Sequence, residues 1–113
     1  MKEANARLPR IAGKLSKFTQ AEIILAFERA RCLHKTTGLT LLRAPRQADY
    51  ARILIVTPRA AGSAPERNKL RRQLKALFYE HGLYHGVFDY IAIFKKGAAQ
   101  LSFETLKKIL TTS

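Results

Sequence analysis

Residues 63–82, SAPERNKLRRQLKALFYEHG, leave this chain the least choice of fold. Ser63 followed three residues later by Glu66 is a capping box, Pro65 suits a first helical turn, and Gly82 supplies the stop. At about 100° per residue, Leu70, Leu74, Leu77 and Phe78 fall in one arc and predict a buried seam. Asn68, Lys69, Arg71, Arg72 and Lys75 take the other side, and Arg67 stands in the first turn near the seam's edge. Such a seam has to be buried against another layer.

The remaining segments supply that layer. Thr19 and Glu22 form a second capping box, with Phe18 and Ile23 placed as a hydrophobic staple. Ile23, Ala26, Phe27 and Ala30 recur at helical spacing, so TQAEIILAFERAR (19–31) reads as a first helix. GLTLLRA (38–44) and RILIVT (52–57) are short, apolar and partly β-branched and read as strands. The second is apolar throughout its middle, which predicts a central strand covered on both faces. DYIAIF (89–94) is a third strand, with Tyr90, Ala92 and Phe94 on one face and Ile91 and Ile93 on the other. LSFETLKKIL (101–110) closes the chain as a helix capped at Ser102, with Phe103, Leu106 and Leu110 as its apolar face. The expected order is α-β-β-α-β-α, an α/β (α+β) two-layer sandwich on a short mixed sheet with three helices. Residues 1–17, basic and interrupted by Leu8-Pro9, read as an arm, and 18–113 as one domain.

Charge narrows the function. The 113 residues carry 21 Lys and Arg against 8 Asp and Glu, a net +13 that opposes compaction unless a polyanion neutralises it. Nucleic acid is the usual partner for such a balance. At 47% hydrophobic the chain is too apolar for a disordered basic tail. A single cysteine, Cys32, rules out an intramolecular disulfide framework and suits a reducing cytosol; a small buried apolar role is its expected one. No run approaches a membrane span, and the basic N-terminus lacks the long apolar stretch of a signal peptide, so a cytoplasmic protein is expected.

No chemistry-bearing constellation stands out. There is no Gly-rich phosphate loop, no HExxH and no cysteine pair for zinc. The eight acids are scattered, whereas a two-metal nuclease needs carboxylates converging on metals roughly 4 Å apart. His81 and His85 have Gly82 between them and no evident third ligand, so they read as turn histidines, and His34 as a surface or strand-edge residue. Neither a catalytic nor a metal-ligating residue is expected. The basic helix differs from an ordinary solvated face, because no acid lies between Arg67 and Lys75. Like charges four apart oppose helix formation by a few tenths of a kcal/mol per pair. Phosphate binding supplies the reason to gather them, since each neutralised phosphate releases counterions. Tyr90 and Phe94 either stack unpaired bases or pack in the core.

ERNKLRRQLKALF closely resembles the motif of the bacterial ribonuclease P protein subunit, in which an Arg-Asn-Arg element opens a basic helix. Arg67 and Asn68 match, and Lys69 keeps the charge of the second Arg but loses its bidentate fork. RILIVTPRAAGSAPERN resembles the family's strand and glycine-containing loop before that helix. FDYIAIFKKGAAQLSFETLKKIL resembles its last strand, basic turn and last helix. LPR near the start and AEIILAFERAR also fit, so three blocks fall in order and spacing from about Arg52 to Leu110, with a looser N-terminal half.

The resemblance implies a short extra first strand around Leu33–Thr36 and a left-handed βαβ crossover, against the usual rule. It also implies a function: assisting removal of the 5′ leader from precursor tRNA by a catalytic RNA, with Mg²⁺ bound mainly by that RNA and no protein-bound cofactor. The expected partners are the catalytic RNA and precursor tRNA, with no membrane and no obligate protein partner. Carried over residue by residue, Arg67, Asn68, Lys69, Arg71, Arg72 and Lys75 would bind the catalytic RNA, and Ile23, Phe27, Arg59, Tyr90 and Phe94 the leader. The chain departs from the family at Ile23, where many members place a second Phe, and at Pro58-Arg59-Ala60, where many have Ser-Lys-Lys. A noncatalytic structural RNA-binding protein, such as a ribosomal protein, is the rival expectation. A self-sufficient nuclease is the third, and it lacks its carboxylates.

Overall fold

A computed structural model describes residues 15–111. The elements are α1 (Gln20–Arg29), β1 (Arg31–Thr36), β2 (Leu39–Pro45), β3 (Ile53–Val56), α2 (Ala64–Glu80), β4 (Phe88–Phe94) and α3 (Phe103–Thr111). Short 3₁₀ turns lie at Arg59–Ala61, Leu83–His85 and Ala98–Gln100. Both capping boxes form: Thr19 with Glu22 on α1, and Ser63 with Glu66 on α2. Ser102 Oγ accepts the Thr105 amide at the start of α3. The extra first strand is present and longer than expected. It ends the first helix at Arg29 rather than Arg31, because residues from Arg31 onward pair with β2.

The sheet order is β1-β2-β4-β3, antiparallel except for the parallel pair β3–β4. β3 is therefore an edge strand, not the central one its apolar run suggested, and β4 is central. The outer edge of β3 is partly closed by the incoming chain, since Leu15 carbonyl oxygen accepts the Ile53 amide at 2.7 Å. Leu15 itself is buried, so the last residues of the expected arm join the core, while residues 1–14 lie outside the described ones.

The two sheet faces have different covers. Leu39 and Leu41 of β2, Ile53 of β3 and Ala92 and Phe94 of β4 meet the α2 seam Leu70, Leu74, Leu77 and Phe78, together with Leu106, Ile109 and Leu110 of α3. The α2 seam is the one its spacing predicts. On α3, Ile109 replaces Phe103, which is exposed. The opposite face carries a smaller cluster, Ala26 of α1 against Ala44 and Ile91. Cys32 is exposed on β1, not buried as expected, because it lies on an edge strand.

A buried guanidinium fixes α1 against the sheet. Arg52, 4% exposed, donates its amide to Asp89 Oδ1 at 2.8 Å, and its Nη1 to Lys17 carbonyl oxygen at 2.7 Å and Glu22 Oε1 at 3.0 Å. The Phe18 ring lies 4.2 Å beneath it. Arg52 and Phe18 thus join the entering chain, α1, β3 and β4. The Arg52 hydrogen bond, with help from the Thr19 amide, holds the Glu22 carboxyl below its usual 4.5. Burial pushes the Asp89 carboxyl up, against the pull of the Arg52 amide and guanidinium.

Two stability measurements probe this framework. Gly38, in the β1–β2 turn, has φ +90°, and a Cβ there would stand 2.9 Å from the backbone of Gly97 and Ala98. Gly38→Ala will lower unfolding free energy by about 1–3 kcal/mol in denaturant titration. Glu22→Gln keeps the capping geometry but removes the charge facing Arg52, and will cost about 1–3 kcal/mol at neutral pH. A carboxyl whose folded pKa is depressed stabilises fully above its unfolded value and loses that stabilisation as pH falls through the folded one. The gap between parent and Glu22→Gln will therefore be constant above about pH 5 and close progressively below it.

Candidate RNA interface

Two surfaces, on opposite sides of the sheet, collect the residues singled out from the sequence. The first is the outer side of α2. Asn68, Lys69 and Arg72 are exposed, and Arg67, Arg71 and Lys75 are half-buried. These six split into two kinds. Arg71 Nη1 donates to Thr57 Oγ1 at 2.6 Å and its Nη2 to Asn68 Oδ1, so this arginine braces the end of β3 against α2. Arg67 has its Nε enclosed with no acceptor among the described residues. Lys69, Arg72 and Lys75 show no ion pair among the described residues, where Arg52–Glu22 is the one salt bridge. Cations gathered on one side of a helix with no acidic partner among the described residues give that side a positive potential that favours anions.

The second surface is the α1 side of the sheet. Strand register puts Thr40, Leu42, Leu54, Val56 and Ile93 on that face, and all five are half-exposed. They form an apolar shelf continuing beyond the Ala26–Ala44–Ile91 contact. Ile23 is half-buried on α1 and Phe27 is 42% exposed. Arg59 is exposed in the turn that follows β3, and Lys35, paired opposite Thr40, is exposed on β1. Strand parity pointed to Ile91 and Ile93 sharing a face, but the shelf could not be read without knowing that β3 lies at the edge.

Tyr90 and Phe94 do not belong to this surface. They face α2 and α3, Phe94 is fully buried, and Tyr90 meets the Phe78 ring edge-on at 6.0 Å. The core-packing alternative holds for both. The side of the sheet that carries two helices needs the larger side chains to fill it.

The carboxylates do not assemble a metal cage. Glu22 and Glu66 hold helix caps, Asp89 is bound to the Arg52 amide, and among the described residues no three His, Cys, Asp or Glu come together. No helix among the described residues is long and apolar enough to cross a membrane.

Comparisons with known proteins identify the family and the fold. The sequence profile of the Ribonuclease P family matches residues 14–113. The ribonuclease P protein component of Streptococcus mutans is 31% identical over 65 residues, which span 58% of this chain and 55% of that protein, so the match covers about half the length of that curated relative. The RNase P protein of Thermotoga maritima superposes with a TM-score of 0.70 at 25% identity, covering 86% of this chain and 92% of that one. That of Staphylococcus aureus superposes at 0.73 with 17% identity, over 87% and 90%, and shares the fold. With the profile spanning all but the first 13 residues, this chain belongs to the ribonuclease P protein family.

Proposed function

We propose that this chain is the protein subunit of ribonuclease P, binding a catalytic RNA and the 5′ leader of precursor tRNA and assisting endonucleolytic removal of that leader. The observation that carries the reading is the pairing of the family match with two separate surfaces, one cationic on α2 and one apolar beside α1. Each has a distinct task. Lys69, Arg72 and Lys75 bind phosphates of the catalytic RNA, with Asn68 beside them; Arg67 and Arg71 support them from the half-buried side. The shelf of Leu42, Leu54, Val56 and Ile93, with Phe27 and Ile23 from α1, receives leader bases. Arg59 and Lys35, exposed beside the shelf, meet leader phosphates. Stacking and apolar contact tolerate any base, which suits leaders of varied sequence.

The hydrolytic step belongs to the RNA in this reading. Magnesium would be held mainly by the RNA and would supply the activation of water there, while the chain's own residues contribute binding and orientation only. The location that matches precursor tRNA is the cytoplasm. A ribosomal-type structural role is the second reading; nothing in the geometry favours it over the family match.

Three measurements test the assignment. In a precursor tRNA assay with Mg²⁺, RNA-free protein will cleave nothing, and adding it to the catalytic RNA will raise leader cleavage; leader-specific cleavage by the protein alone overturns the reading. Arg72→Ala and Lys75→Ala will each lower the salt dependence of RNA binding by about one unit of slope, with folding unchanged. Phe27→Ala will weaken binding of leader-bearing precursor by about 1–3 kcal/mol and leave mature tRNA unaffected. Because Phe27 is exposed, melting of this variant will stay near the parent's; equal loss for both substrates would place the leader elsewhere.

A further inference from the structure

The outermost line of α2 does not end with its last cation. At about 100° per residue, Asn68, Arg72, Lys75 and Tyr79 fall within roughly 60° of one another, nearly opposite the Leu70–Leu74–Leu77 seam. Past Tyr79 the helix stops at Gly82, whose left-handed φ of +64° turns the chain back into the Leu83–His85 turn. That turn lies alongside the end of α2 and is tied to the sheet by the Ala51 amide, which donates to Tyr84 carbonyl oxygen at 2.9 Å. As a result Tyr79 and Tyr84 stack, with ring centres 5.4 Å apart and planes 7° from parallel. The His85 imidazole follows at 4.2 Å from the Tyr84 ring, tilted by 37°.

Tyr79 and Tyr84 pack partly against the main core. Tyr79 and Tyr84 are half-buried, but His85 is exposed. Cations stand at both ends: Lys75 one turn before Tyr79, and Arg46, whose Nη1 donates to Gly86 carbonyl oxygen at 3.1 Å next to His85. A planar exposed ring on an aromatic stack, flanked by cations at the end of a phosphate-binding line, has the composition of a single-strand stacking platform.

We propose that the Tyr79–Tyr84–His85 column receives an unpaired base of the catalytic RNA, with the flanking phosphates held by Lys75 and Arg46. The inference rests on the reading that α2 docks that RNA, and extends the contact from phosphates to a base. The catalytic RNA is the source, rather than precursor tRNA, because the column continues the α2 line, whereas the leader shelf lies on the other face of the sheet. Base stacking and phosphate pairing respond differently to salt, so the two contributions separate in experiment.

The chain contains no tryptophan, so His85→Trp introduces a single fluorescent reporter at an exposed position. Titrating this full-length variant with the catalytic RNA will quench its emission, and mature tRNA will not. His85→Ala will weaken assembly with the catalytic RNA by roughly 5- to 100-fold, the range of one stacked base, with the salt slope unchanged. Lys75→Ala will lower that slope by about one. Unquenched tryptophan together with parental affinity for a folded His85→Ala overturns the proposal while leaving the α2 reading intact, provided Lys75→Ala and Arg72→Ala still weaken binding. Parental affinity and slope in all of these variants would remove the α2 reading and this proposal with it. Quenching by mature tRNA with equal avidity would assign the base to the substrate and overturn the choice of partner.

Discussion

A single buried guanidinium holds the architecture in register. Arg52 lies where the entering chain, the first helix and the two parallel strands meet, and it bonds to each: Lys17 carbonyl oxygen, the Glu22 carboxylate and the Asp89 carboxylate through its own backbone amide. Burying a charge costs several kcal/mol unless partners replace water; here a carboxylate and a carbonyl do so at Nη1 and the Phe18 ring covers one face, while Nε and Nη2 have no acceptor among the described residues. The consequence is geometric. The fully buried part of the apolar contact under α1 is small, Ala26 on Ala44 and Ile91, with Ala30, Leu42, Leu54 and Ile93 half-buried around it. The Glu22–Arg52 pair, helped by Gln47 Nε2 donating to Glu22 carbonyl oxygen at 2.9 Å, sets where Ile23 and Phe27 stand relative to the shelf.

The sheet then acts as a partition. On one side two helices and the large residues Phe78 and Phe94 form the core, and their outer surface is free to be densely cationic. On the other side one short helix leaves part of the strand surface half-exposed. Like charges concentrated on α2 repel one another, and Arg71 is held in place by hydrogen bonds to Thr57 and Asn68, neutral acceptors that leave its charge in full. The helix still keeps Lys69, Arg72 and Lys75 without acidic partners among the described residues, a cost in folding that the proposed binding to RNA phosphates would offset. Under the proposed function, separate faces would let a protein of this size hold two nucleic-acid segments at once without one excluding the other.

Local chemistry was legible wherever it depended on neighbours in sequence. The capping boxes at Thr19 and Ser63, the Gly82 stop and the Leu70–Leu74–Leu77–Phe78 seam follow from spacing alone, because hydrogen bonds three residues apart and a 3.6-residue period involve no distant partner. The alternation along β4 was legible for the same reason. Which side of β4 met solvent was not: Tyr90 and Phe94 look like stacking residues until two helices are laid over them. β1 was legible only through the family resemblance, since Arg31–Thr36 is largely polar and becomes a strand by pairing with β2, with a bulge between Cys32 and His34.

By itself, the sequence determined the helices, their caps, the cationic side of α2 and, through its motifs, the family. Those properties rest on covalent neighbours and on net charge, which folding does not alter. Tertiary structure decided the rest. It placed β3 at the edge, buried Phe94, left Cys32 and Phe103 exposed, and drew Arg52 into contact with residues more than thirty positions away. It also stacked Tyr84 on Tyr79 and set His85 against it. Strand order and long-range ion pairing depend on which surfaces compete for burial once the chain closes on itself, and no local pattern encodes that competition.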